Sequence, residues 1–336
     1  MGSSQSALNF GAGPAKLPSE VLYDVQQEFL SYKNTGMSLI EMSHRSKEYM
    51  EINDNAEKAV RELLKVPSNY KILFLQGGGC GTFAAIPLNL MNRTGSADYA
   101  VTGTWSAKAA KEAAKYGKYS QNLRDREVFP DESTWTLNPN ASYLYYCDNE
   151  TVDGVEFPKI PNSHDVPLVA DMSSIRCYIW RCPKNIGPSG VVVVIVREDL
   201  LGNAMKVCPS VLDFTHVAKE KSIHNTPSTF SVYVMEKVLQ WIKKNGGVAA
   251  MQTQIVPLTI GSEVGLIYHF VGGKNGNESL EAKFVEEAEK LKMYQLKGHR
   301  SVGGIRASLY NAITVSDVEL LVKFMVEFQK QYGPKP

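Results

Sequence analysis

The chain has 336 residues, 43% of them hydrophobic, so it can bury a substantial core, and its length allows about two domains. Lys and Arg total 36 against 35 Asp and Glu; a net charge of +1 supplies no general attraction to nucleic acid or to an anionic membrane, so any anion selectivity must be local. Five cysteines without C-x-x-C spacing give no metal framework and fit a reducing, cytoplasmic setting, and no apolar run approaches the roughly 20 residues of a membrane span.

In chain order, Met1-Gly2-Ser3-Ser4-Gln5-Ser6 fits a myristoylation pattern and equally an expression-vector leader. From about Ser19 to Gly246, strand-like runs alternate with amphipathic helical stretches, which predicts a mainly parallel sheet covered by helices. The clear strand candidates are Lys71–Leu75, Tyr143–Tyr146, Val166–Ala170 and Val191–Val196. Ligands of open α/β sheets collect at the carboxyl ends of strands, which directs attention to Gln76–Gly81, Cys147–Thr151 and Asp171–Ser174. After Gly247 the pattern changes to a separate α/β unit with helices near Ser279–Lys292 and Val315–Tyr332. The expected division is a large domain over 15–246 and a small C-terminal domain over 247–336 that also takes in residues 7–14.

The residues able to carry chemistry follow the same order. Ser43-His44-Arg45 is a basic cluster near the start. Gln76-Gly77-Gly78-Gly79-Cys80-Gly81 follows a strand and opens a helix, placing free N–H groups where a phosphate could sit; a plain glycine turn is the alternative. Trp105 could lay its indole on a flat heteroaromatic ring or simply fill a core. Asp171, ending an apolar strand, could pair with a protonated ring nitrogen or cap the next segment. Lys184 lies in a loop before a strand, where most lysines are solvated. Gly298-His299-Arg300 and Arg306 complete a second basic cluster, its glycine and serine neighbours suiting bidentate capture of carboxylate or phosphate.

These motifs, in this order, resemble the phosphoserine aminotransferase family. The matching strings include Asn9 to Ala15, Glu41 to Ser46, Phe74 to Gly79, Trp105 to Ala110, Asp148 to Thr151, Asp171 to Ser174, Asn225 to Pro227 and Lys297 to Ser308. The resemblance implies a fold-type I pyridoxal-phosphate transferase: an α/β protein with a mainly parallel sheet in the large domain and a smaller α/β C-terminal domain. It implies Lys184 as the lysine that bonds the cofactor, Asp171 as partner of the pyridine nitrogen, and Trp105 as the stacking residue. Gly79, Cys80 and Thr151 would help hold pyridoxal 5'-phosphate, with Asn225 and Thr226 reaching its phosphate from the other subunit of a homodimer. Arg306 would take the substrate α-carboxylate; His299 and Arg300, with His44 and Arg45 of the second subunit, would take the substrate phosphate. Glutamate would be the amino donor and 3-phosphohydroxypyruvate the acceptor, with no metal, nucleic acid or membrane involved.

Two stretches depart from the family pattern. Only 12 residues separate Asp171 from Lys184, about half the family length, and the family glutamine before the lysine is Pro183. The codons CGG TGT TAT ATA TGG AGG TGC CCA encode Arg176–Pro183; read one base later they give a family-like Gly-Val-Ile-Tyr-Gly-Gly-Ala. The stretch before Gly272, residues 252–271, is also short, and Ile267–Val271 can be written so that a shift by one base gives a family-like Asn-Ile-Pro-Phe-Arg. A reading-frame disturbance explains both, and the alternative expectation is a catalytically impaired or silent chain.

Overall fold

Residues 7–122, 132–173, 184–255, 265–268, 276–299 and 303–333 are described by a computed structural model. The expectations for Met1 to Ser6 and Arg300 lie outside them, as does most of both shortened stretches.

Residues Tyr70–Leu75 form β2, after β1 (Leu8–Asn9). Four consecutive buried residues, Ile72 to Leu75, mean that both faces of this strand are covered. Side chains alternate across a strand, so Ile72 and Phe74 enter one core with α1 (Ser19–Glu28), α2 (Lys47–Leu63) and α6 (Thr229–Lys244). Leu73 and Leu75 enter another, with α5 (Phe214–Lys219) and Ala85 of α3 (Gly78–Leu90). The partner strand is β9 (Val192–Arg197), antiparallel, from Tyr70 opposite Arg197 to Leu75 opposite Val192.

A parallel sheet holds β3 (Ser96–Ala100), β4 (Lys118–Asn122), β5 (Leu144–Cys147) and β8 (Leu168–Asp171) in the order β4-β3-β5-β8. Helix α4 (Thr104–Ala113) and α3 close over Tyr99, Tyr143 and Tyr145 on one face of it. The short β6 (Asn149–Glu150) and β7 (Val155–Glu156) form a ribbon beyond the end of β5. The α/β architecture with a parallel sheet is therefore as read from the sequence.

Among the described residues β8 pairs only with β5, and β9 only with β2. A cavity of about 500 Å³ opens between them, lined by Leu168 and Val169 of β8, Ile195 to Arg197 of β9, Tyr70, and Phe214 of α5. It lies at the amino end of β8 and the carboxyl end of β9.

After α7 (Gly247–Ile255), β10 (Gly265–Tyr268) pairs with β13 (Gly303–Ser308), which also pairs with β12 (Lys297–His299). Their core is built by α8 (Glu278–Lys290) and α9 (Val315–Tyr332), through Phe284, Phe324 and Phe328. The amino end joins this core: β1 runs parallel to β11 (Met293–Tyr294), and Phe10 is completely buried there. Helix α9 starts with a capping box between Thr314 and Asp317, and Asp317 also accepts from Lys16 Nζ at 2.5 Å. Among the described residues no helix is long and apolar enough to cross a membrane.

Candidate active site

Asp171 is the last residue of β8, opposite Cys147 at the carboxyl end of β5, and its side chain is buried. Tyr145 Oη donates to its Oδ2 at 3.3 Å, while Ser173 donates to Oδ1 through its N–H at 3.1 Å and through its hydroxyl. The bond to the Ser173 N–H is the local turn that the bland reading of an Asp here expects. Both features coexist: the turn fixes one oxygen at the strand end, where ligands of open sheets bind.

Trp105 opens α4, and its indole Nε1 donates to Thr151 Oγ1 at 3.1 Å. The helix start is sealed by carboxylates. Glu150, fully buried, accepts from the N–H groups of Trp105 and Ser106, each at 2.7 Å, and from the Ser106 hydroxyl at 2.5 Å; Asp153 accepts from Thr104 N–H at 2.7 Å. Desolvation raises the Glu150 pKa, and the hydrogen bonds from Ser106 and Trp105 oppose that rise. Gly103 is required next to them, since a Cβ there would stand 2.6 Å from both Glu150 and Asp153. Lys108, one turn along, holds its ammonium 4.3 Å from the indole centre.

Helix α3 has no such seal. Gly77 precedes it and Gly78 opens it, at φ values of 95° and 58°, a left-handed backbone that suits glycine, and no side chain caps it. Gly79 and the exposed Cys80 lie in its first turn. Of the two helix starts, α3 is therefore the one open to a phosphate. Gln76 Nε2 donates to Thr226 O at 3.2 Å, and Asn225 Nδ2 to the same oxygen at 3.1 Å, so the 225–226 segment stands beside the glycine turn of its own chain.

Lys184, half-buried, lies with its ammonium 6.0 Å from the centre of the Tyr310 ring. Its stem passes Gly13, where a Cβ would come 3.9 Å from Lys184 Cγ and Cε. Arg306, half-buried on β13, donates its backbone N–H to Leu296 O at 2.8 Å, and its Nε is buried without a hydrogen-bond partner among the described residues. Burial lowers the pKa of this guanidinium, opposed by its attraction to Tyr310. Lys184, Tyr310 and Arg306 thus converge. His44 and the exposed Arg45 stand in the turn before α2, which Ser46 caps, and half-buried His299 ends β12.

Sequence reasoning assigned no role to Glu150, Asn185, Tyr310 or Asn311. The available signal for Glu150 was its place in the Asp148 to Thr151 string just beyond the buried run of β5; the other three carried none until folding brought residues 12, 185 and 310 together. A buried carboxylate at a strand end, an indole pinned by its nitrogen, an unsealed glycine turn and a half-buried guanidinium with its Nε unpartnered among the described residues together suit a planar, anionic cofactor and a carboxylate-bearing substrate.

Residues 7–261 match the family described as aminotransferase class-V. A phosphoserine aminotransferase of Drosophila melanogaster is 48% identical, the alignment covering 96% of this chain and 98% of that protein. That alignment runs over 358 positions, more than the 336 residues here, so the relative has stretches without a counterpart in this chain. Among solved structures, phosphoserine aminotransferase from Bacillus circulans subsp. alkalophilus superposes with a TM-score of 0.90 at 37% identity, covering 98% of this chain and 100% of that one. The PLP-bound phosphoserine aminotransferase from Trichomonas vaginalis gives 0.87 at 34% identity, covering 96% and 100%.

Proposed function

Because the chain belongs to the phosphoserine aminotransferase family of class-V aminotransferases, we propose that it transfers the amino group of glutamate to 3-phosphohydroxypyruvate, yielding phosphoserine and 2-oxoglutarate for serine biosynthesis. The observation that carries this reading is the convergence of Lys184, Tyr310 and the partly unpartnered Arg306 on one place.

Pyridoxal 5'-phosphate, when bound, supplies an aldehyde for the amino group and a ring that accepts the electron pair left at the substrate Cα. Lys184 Nζ would take the Cα proton and deliver it to the cofactor carbon that bears the amino nitrogen. The Asp171 carboxylate keeps a proton on the ring nitrogen, and the Trp105 indole, oriented through Thr151, covers a ring face. The first turn of α3, with Gly79 and Cys80, holds the phosphate by its N–H groups, aided by Asn225 and Thr226 of a second subunit. Arg306 takes the α-carboxylate in a bidentate grip. His299 and Arg300, with His44 and Arg45 of that second subunit, take the substrate phosphate. A homodimer with shared sites, a large unit over 15–246 and a small one over 247–336 with 7–14 complete the reading, supported by the separate core around Phe10 and Phe284. The thiols of Cys80 and Cys208 support a cytoplasmic setting.

An absorbance band near the visible edge on adding the cofactor, lost in Lys184→Ala, is the expected result; a mutant that keeps the band removes Lys184 from its role. One observation favours a second reading, an impaired chain: only 12 residues separate Asp171 from Lys184, and the Drosophila relative has stretches without a counterpart here. Transcript sequence across Asp171 to Lys184 separates a faulty translation from a real lesion.

A further inference from the structure

Lys184 follows the shortened stretch, but its C-terminal side is fastened from elsewhere. Asn185 and Asn311 are 8% and 7% exposed, and they are joined twice: Asn311 N–H donates to Asn185 Oδ1 at 3.1 Å, and Asn311 Nδ2 donates to Asn185 O at 3.2 Å. Two bonds between the same pair of buried residues fix the direction of the backbone leaving Lys184 as well as its place. Each would leave a desolvated polar group if broken. Tyr310, the neighbour of Asn311, adds a second support. Its hydroxyl donates to Ala12 O at 3.1 Å, holding the segment whose Gly13 adjoins the lysine stem, and its ring lies below the ammonium.

We propose that Asn311, through Asn185, and Tyr310 are positioning residues for Lys184, so that the C-terminal unit sets the placement of the amine independently of the chain that precedes it. The inference rests on Lys184 being the cofactor-bonding lysine. Its consequence is that the unaltered chain still bonds pyridoxal phosphate through Lys184 even where its turnover is poor. The lysine is held from behind.

The test uses the full chain titrated with pyridoxal phosphate, followed by borohydride reduction and peptide mass spectrometry to score cofactor on Lys184. Asn185→Ala and Asn311→Ala each weaken half-saturation roughly tenfold, as expected for a lost buried hydrogen bond, and shift the pH at which the absorbance band changes. Asn185→Ala removes the bond to Oδ1 and Asn311→Ala the bond from Nδ2, each leaving the other in place, so the double variant is weaker than either single variant. Asn185→Asp, which keeps the Oδ1 acceptor, stays within about threefold of the parent. Melting of the cofactor-free chain is measured alongside. Variants that melt earlier but keep the parental half-saturation and pH response reduce the pair to a structural contact and overturn the proposal. A double variant that keeps the parental half-saturation overturns it too. If the parent itself carries no cofactor on Lys184, the reading of the function fails and takes this inference with it, whereas a labelled parent with indifferent variants removes only this inference.

Discussion

Arg306 holds a charge at a half-buried position with one nitrogen unpartnered among the described residues, a costly arrangement unless an anion completes it. Arg306→Lys should therefore lower kcat/KM for glutamate and for the phosphorylated substrate alike, by at least about tenfold, since an ammonium cannot reproduce a two-pronged grip. Arg45→Ala should act on the phosphorylated substrate alone; equal losses on both substrates in steady-state assays would remove this division of labour. Glu150 makes a different kind of contribution. Its removal in Glu150→Ala leaves the N–H groups of Trp105 and Ser106 buried without acceptors, and the expected cost is about 2–4 kcal/mol, read as an earlier melting transition. The sequence pointed to Asp171 and Trp105 because each stands in a string specific enough to recognise, and to Lys184 because it is the first lysine after the strand of Asp171. It could not point to Asn311 or Tyr310, whose importance comes from contacts with residues more than a hundred positions away.

The elements follow the same division between local and distant information. Strand runs at Tyr70–Leu75, Leu144–Cys147, Leu168–Asp171 and Val192–Arg197 were legible from their apolar content, and α9 was legible from its periodicity. The antiparallel pairing of β9 with β2 was not, because strand direction depends on which neighbour a strand meets. The shortened stretch between Asp171 and Lys184 lies outside the described residues, and its 12 residues are about half what the family pattern holds. The unaltered chain should therefore turn over glutamate and 3-phosphohydroxypyruvate slowly. Inserting family-length segments before Lys184 and Gly272 should raise both the melting temperature and kcat, by at least about tenfold in kcat. Robust turnover by the unaltered chain would show that the shortened stretches are harmless.

At the scale of the whole molecule, the proposed sharing of sites between two subunits has a quantitative signature. Lys184→Ala and Arg45→Ala chains, each inactive on the phosphorylated substrate, should regain roughly a quarter of the parental activity when unfolded, mixed in equal amounts and refolded, because half the dimers are hybrids with one intact site of two. No regain would mean that each subunit completes its own site. The pairing of β1 with β11 bears on another matter, the order in which the molecule can assemble. Leu8 and Phe10 leave the ribosome well before their partner Met293, and at roughly 5–20 residues per second the intervening chain imposes a wait of about 15 to 60 s. During that interval a segment destined for complete burial is exposed on the nascent chain. Chaperone capture would be concentrated at this amino end, and premature termination of synthesis anywhere before residue 293 would strand it there.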